Sequence, residues 1–442
     1  MKFSSLLLLS AALITQYTKS HKLHNSNKVD DPDPNYDPSL IKVVETDFEK
    51  PILDDSEYRD ILLPNGLEVM LISDPSTDVA ASSVSVDAGS RNDPKNLPGL
   101  AHLCEHLLFM GTEKYPADDE YFIFVNSHGG SYNAFTSLSR TTYSSEINPG
   151  YHLEQLDRMA NFFIKPLFSE DIIQRETHSV NSEFNIYHSS PVRAKFQLLN
   201  YAFKDSDFFS VFTTGNRQSL FSGPRANNIS VKQGLHTFFS EHYRPRNMKA
   251  VIYGNQSLDI LQEWAYRTLG KIPDTGKRDI NDVNPLSVIK REHIWYYYPG
   301  VSPSLLMVFV VPSAGVHYKS VPTHYLNYLF TQSGPNSPQR RFLNRSFALN
   351  IDFSDVPYSP KYDFLFVSVQ LQPLGDLFLS DVIREVFSCI KFYKENGTNR
   401  QIFDELKTIQ DAQFKYSFKS DPFKYTGELS GAMLTESHPQ RI

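Results

Sequence analysis

The chain has 442 residues, 40% hydrophobic and 21% charged, with a formal net charge of −7, a globular composition long enough for two domains. No basic stripe, zinc-finger or RNA-binding pattern accompanies that acidic balance, which excludes nucleic acid as the expected partner and leaves peptides as the better fit. Two cysteines, Cys104 and Cys389, exclude a disulfide framework and read as small packing residues within apolar patterns.

In chain order, Lys2 precedes an apolar run from Leu6 to Ile14 and a small or polar stretch ending at Ser20. Residues 1–20 therefore read as a signal peptide, and the expected destination is the secretory pathway. The run is too short to span a bilayer, and no later segment is a transmembrane candidate. Sequons at Asn228, Asn255, Asn344 and Asn396 permit glycosylation. Residues 21–56 are polar and carry Asp30-Asp31-Pro32-Asp33-Pro34, which predicts an extended lead-in, with the fold starting near Tyr58. Pro64-Asn65-Gly66 is a hairpin signal between strands Tyr58–Leu63 and Leu67–Ile72, and Val79–Val86 reads as a further strand.

The segment His102-Leu103-Cys104-Glu105-His106 follows, with the His-x-x-Glu-His spacing of an inverted zinc-peptidase helix. Residues four apart on an α-helix differ by roughly 40° around the axis and about 6 Å along it, so both imidazoles can converge on one ion. Glu105 lies on the same face and is better placed as a base than as a ligand, able to take a proton from water and return it to a leaving amine. Pro98 suits a first-turn position and Gly111 a stop, with Leu100, Leu103, Leu107 and Met110 at core-facing spacing. A catalytic zinc takes three protein ligands, so one more is required.

Strands are expected at 131–136 and 141–147 and helices at 151–165 and 169–188. The last starts at Ser169-Glu170-Asp171, where serine caps and acids favour the first turn. Glu176 and Glu183 share one face of that helix, about 10.5 Å apart along the axis. One is the third ligand and the other supports the site; spacing alone does not choose between them.

The run Asp93 to Thr112 resembles the insulin-degrading enzyme (insulinase) family of inverted zinc metallopeptidases. Lys114-Tyr115-Pro116, Glu120-Tyr121, His128-Gly129-Gly130, Asn133-Ala134-Phe135-Thr136, Arg175-Glu176 and Ser182-Glu183 match in the same order. The resemblance implies one Zn2+ per chain on His102, His106 and Glu183, with Glu105 as catalytic base and Glu176 supporting the site. It also implies a substrate cleft lined by Asn133, Ala134, Phe109 and Phe135.

Downstream the same order of elements recurs: strands near 293–299 and 304–312, helices near 321–332 and 337–346, strands near 350–355 and 362–370, helices near 375–396 and 399–417. The helix near 321–332 holds His324 but no second ligand at metal spacing, so only the first copy can be catalytic. The expected fold class is α+β, two homologous repeats, each a largely antiparallel sheet with helices packed on one face. The catalytic zinc-binding domain is assigned to 57–275 and the second, non-catalytic repeat to 286–442, apparently incomplete. Members of the family carry two such halves that close into a chamber, and the resemblance covers the N-terminal half only. The expected function is a zinc-dependent endopeptidase acting on peptides or partly unfolded small proteins, with a second half-chain or homodimer partner. The alternative is a non-catalytic subunit or peptide-binding protein of the same fold that requires a partner half.

Overall fold

The protein's structure, a computed structural model, describes residues 36–188, 212–276, 303–313, 322–335, 337–357 and 362–435, together with Pro34, Ser190 and Ser320. The fold class is the expected α+β. The first sheet comprises β1 (Lys42–Glu45), β2 (Glu57–Leu62), β3 (Glu68–Ser73), β4 (Ala80–Val86), β5 (Ser131–Thr136), β6 (Thr141–Ile147) and β7 (Met248–Gly254). Their order across the sheet is β1-β2-β3-β7-β4-β6-β5, antiparallel except for the β3–β7 pair.

Strands β2 to β6 lie within a residue or two of their expected bounds. β1 does not: it falls inside the stretch expected to be lead-in, and pairs with β2 through Val43↔Ile61. Its exposed Lys-Val-Val-Glu pattern offers no alternation to read, because one face covers no core. β7 was not anticipated either. It is a buried run inserted between β3 and β4, and its pairing depends on contacts about 180 residues away in the chain.

On one face of this sheet lie α1 (Leu100–Leu108), α2 (Glu120–Ser127), α3 (His152–Ile164), α4 (Glu170–His188), α5 (Val231–His242) and α6 (Leu258–Arg267). α1 is shorter than Pro98 and Gly111 suggested. Gly99 takes a left-handed conformation at its N-cap, and the Asp93 carboxylate accepts from the N–H groups of Gly99 at 2.6 Å and Ala101 at 2.7 Å, satisfying donors that the first turn leaves open.

Downstream lies a three-stranded antiparallel sheet among the described residues, β8 (Ser304–Pro312), β9 (Ala348–Pro357) and β10 (Tyr362–Leu371), in the order β8-β10-β9. With it go α7 (Pro322–Thr331), α8 (Pro338–Asn344), α9 (Leu379–Asn396) and α10 (Arg400–Lys415). Its core joins Phe330, Phe342, Ile351, Val367 and Val386. The strand expected near 293–299 lies outside the described residues.

The final helix, α11 (Pro422–Thr435), departs from the expected repeat. It packs on the first sheet, on the face opposite the zinc-type helix, where Leu429 and Met433 meet Met70, Ile72, Val251 and Tyr253. Small residues bring it close: the Ser83 hydroxyl donates to the Thr426 carbonyl at 2.5 Å and Ser85 pairs with Ser430 at 2.8 Å. All seven residues of β4 are therefore buried, since Ser82 meets His152 of α3 on the other side. The first sheet is covered on both faces, and part of that cover comes from the end of the chain assigned to the second repeat.

Candidate active site

α1 buries Leu100, Leu103, Cys104 and Leu107 against the sheet, which turns His102 and His106 toward α4 and a cavity of about 510 Å3. The two imidazoles sit edge to face with centroids 4.8 Å apart. Across from them, Glu183 places one carboxylate oxygen 3.3 Å from His102 Nε2 and the other 3.6 Å from His106 Nε2. One donor atom from each of His102, His106 and Glu183 falls within 4.8 Å of the others, the one such group among the described residues. Zinc takes imidazole nitrogen and carboxylate oxygen in a tetrahedral shell with ligand-to-ligand edges of roughly 3.3–3.4 Å; the donor types fit that ion, and the two contacts come from different oxygens of Glu183.

Each imidazole is held from behind at its other nitrogen. His102 Nδ1 lies 2.7 Å from the Thr214 carbonyl and His106 Nδ1 lies 3.4 Å from Glu176 Oε2. Two ring nitrogens per histidine give the two glutamates different partners. Glu183 meets both Nε2 atoms, while Glu176, about two turns away, stands behind His106. Arg175 contacts Glu176 at 3.4 Å and Asp118 at 2.6 Å. Burial would lift the Glu176 carboxyl, but the bond to His106 and the Arg175 guanidinium outweigh it and hold it below the usual range. His178 points elsewhere, onto Arg217.

Glu105 is 7% exposed and accepts a hydrogen bond from the Thr136 hydroxyl. Burial pushes its carboxyl above the ordinary glutamate value, against the pull of both imidazoles and Thr136. For His102, burial works to lower basicity, and the Glu183 bond, the Glu105 charge and the Thr214 carbonyl together reverse that and raise it. Metal binding requires neutral imidazole, so an ion here displaces protons.

Asn133, Ala134, Phe109 and Phe135 all line the same cavity, with Tyr132, Thr136, Thr213 and Thr214. β5 is the sheet edge, and its residues alternate in exposure, so Tyr132, Ala134 and Thr136 turn toward α1. Phe109 does two things: it lines the cavity and also packs with Tyr132 at 4.8 Å and Phe162 at 5.3 Å. Thr136 and Thr214 carry contacts that the sequence reading did not assign. Strand alternation from Ala134 could have pointed to Thr136; Thr214 contributes a backbone oxygen, for which no side-chain pattern exists. Cys104 and Cys389 are buried and unbridged.

Two imidazoles and a glutamate converging beside a buried carboxylate, on this α+β fold, form the kind of donor arrangement that inverted zinc metallopeptidases use. Residues 68–209 match the family described as insulinase, peptidase family M16, and residues 230–410 match the domain described as the peptidase M16 inactive domain. The chain belongs to the insulinase family. It is 35% identical over 387 residues to Insulin-degrading enzyme-like 2 of Arabidopsis thaliana, covering 87% of this chain and 40% of that protein. To Insulin-degrading enzyme-like 1, peroxisomal, of the same plant it is 34% identical over 388 residues, with the same coverage. The crystal structure of pitrilysin superposes with a TM-score of 0.82 at 26% identity, covering 91% of this chain and 43% of that one. The chain spans about 40% of the length of the curated relatives it matches.

These matches correct the secretory expectation. They lie among insulin-degrading-enzyme-like proteins, one of them peroxisomal by name, and give secretion and a signal peptide no support. A nine-residue apolar run beside one lysine is a signal that ordinary composition also produces, and residues 1–20 lie outside the described residues. No helix among the described residues is long and apolar enough to cross a membrane.

Proposed function

We propose that this chain is the catalytic half of a zinc-dependent endopeptidase that hydrolyses peptides or partly unfolded small proteins. The observation that carries the reading is the Nε2, Nε2 and carboxylate convergence of His102, His106 and Glu183 beside buried Glu105. Zinc held there would supply Lewis-acid polarisation of a carbonyl and a lowered water pKa. Glu105 would take the proton of the attacking water and return it to the leaving amine, a role that its position beside the two imidazoles allows. Thr136 holds that carboxylate in one orientation. Glu176 and the Thr214 carbonyl hold the imidazoles so that Nε2 faces the ion. The exposed edge of β5 accepts an extended peptide as an added strand, with Asn133 and Ala134 along it and Phe109 and Phe135 as apolar wall.

In this reading the catalytic unit is 57–275 with β1 added at its edge, and the unit from 286 onward is non-catalytic, lending α11 as a cover for the first sheet. In this reading a second half, whether a half-chain or a homodimer partner, completes the substrate chamber. The test is zinc content of the purified chain together with cleavage of a quenched fluorogenic peptide before and after chelation. Stoichiometric zinc and cleavage that is lost on chelation and restored by zinc support the proposal. A folded chain that takes up no zinc favours a peptide-binding role and overturns it.

A further inference from the structure

We propose that a contact between two glycines, Gly99 and Gly215, sets the tautomer and orientation of His102 and so tunes metal affinity; the inference rests on His102 being a metal ligand. The Thr214 carbonyl can only accept, so at 2.7 Å from His102 Nδ1 it fixes the proton on Nδ1 and leaves the Nε2 lone pair directed at Glu183. The corresponding partner of His106 is a carboxylate side chain on a helix. For His102 the partner is backbone, so its position is that of the whole segment 213–216.

That segment is placed by close approach to the start of α1. Gly99 has φ +92° and Gly215 φ +74°, conformations that L side chains rarely adopt. A Cβ on Gly99 would stand 2.2 Å from Gly215 Cα, and one on Gly215 would stand 3.0 Å from Gly99 Cα and 2.7 Å from Leu220 Cδ1. A methyl on Gly99 forces the two backbones apart, whereas one on Gly215 displaces Leu220 and presses on Gly99, in a left-handed conformation that alanine strains; in both cases the Thr214 carbonyl moves with the segment. The segment is tied at one end to the turn that precedes α1 and at the other to α4, which bears Glu183. The Ser90 hydroxyl donates to the Thr213 carbonyl at 3.3 Å, ahead of α1. The Arg217 N–H donates to Asn181 Oδ1 at 3.0 Å, on α4, two residues before Glu183. Gly99 and Gly215 are thus positioning residues where two ligand helices are joined.

The experiment measures zinc affinity by chelator competition, the visible spectrum of the cobalt-loaded protein, and the melting of the metal-free protein. The variants are Gly215→Ala, Asn181→Ala and, as a strain control, Gly397→Ala. Gly397 shares the positive φ, at +67°, with nothing within 4 Å of an added Cβ. Gly215→Ala should bind zinc about 10- to 100-fold more weakly, the range for lost support behind a ligand, with a shifted cobalt spectrum. Asn181→Ala, which adds no atoms, should weaken binding in the same direction, and Gly397→Ala should lower stability alone. A folded Gly215→Ala with wild-type affinity and spectrum overturns the proposal. Should Gly215→Ala fail to fold, wild-type affinity in Asn181→Ala overturns it instead. Wild-type protein that takes up no zinc refutes the metal reading itself, and this inference falls with it.

Discussion

Exchanging the two helix glutamates for glutamine, one at a time, separates a ligand from its support. Glu183 lies 3.3 and 3.6 Å from the two Nε2 atoms, close to the roughly 3.3–3.4 Å edge of a tetrahedral zinc shell. Glu176 lies 3.4 Å from His106 Nδ1, the nitrogen turned away from the ion. Glutamine at 176 keeps an acceptor oxygen but loses the charge, and should weaken zinc binding about 10- to 100-fold, or about 1.4–2.8 kcal/mol. Glutamine at 183 removes a charged ligand and should exceed the upper end of that range. Chelator competition on the two purified variants measures both values side by side. If Glu176→Gln emptied the site and Glu183→Gln kept its zinc, the assignment of the third ligand would be refuted.

Thr136→Val removes the donor to Glu105 while keeping the side-chain shape. A hydrogen bond to a charged group is worth about 1.5–3 kcal/mol, so peptide hydrolysis should fall on the order of 10- to 100-fold at unchanged zinc content. Thr136→Ser should recover most of it; a serine variant as slow as valine would contradict the role. Leu429→Ala opens a hole between α11 and the first sheet and should cost about 2–5 kcal/mol in urea unfolding, whereas an α11 that contributes nothing would leave the midpoint unmoved. Asp74 accepts from Lys419 and Tyr253 at 2.7 and 2.5 Å. Burial favours its protonated form, but those bonds and Ser76 prevail and hold its carboxyl well below the usual range. A depressed folded value gives stability that is present above the unfolded pKa, about 3.9, and is lost as pH falls below it. The drop in urea midpoint between pH 6 and pH 3 should therefore be smaller in Asp74→Asn than in the wild type, and an equal drop in both would argue against it.

The convergence of His102 and His106 was legible because the pair sits at helix spacing. Two histidines four residues apart can serve one ion, and turn residues such as Pro64-Asn65-Gly66 bracket strands β2 and β3 closely. The choice between Glu176 and Glu183 was not legible from residues alone, because both lie on one face of α4 and the answer depends on which nitrogen of each imidazole they meet. β7 pairs parallel with β3 across about 180 residues, a relation that no local pattern records. α11 looked like part of the second repeat because its small residues Gly427, Ser430 and Gly431 become a contact signal only beside Ser144 and Ser85 of the first sheet and Arg140 in the β5–β6 turn. Thr214 was invisible for a simpler reason, since its contribution is a carbonyl that every residue possesses.

The most direct test of the account is Glu105→Gln, assayed for bound zinc and for cleavage of a fluorogenic peptide in the same preparation. The amide can neither take nor return the proton, so zinc should remain stoichiometric while hydrolysis disappears. Loss of zinc in step with activity would make Glu105 a ligand, and cleavage at the wild-type rate would remove it from the mechanism.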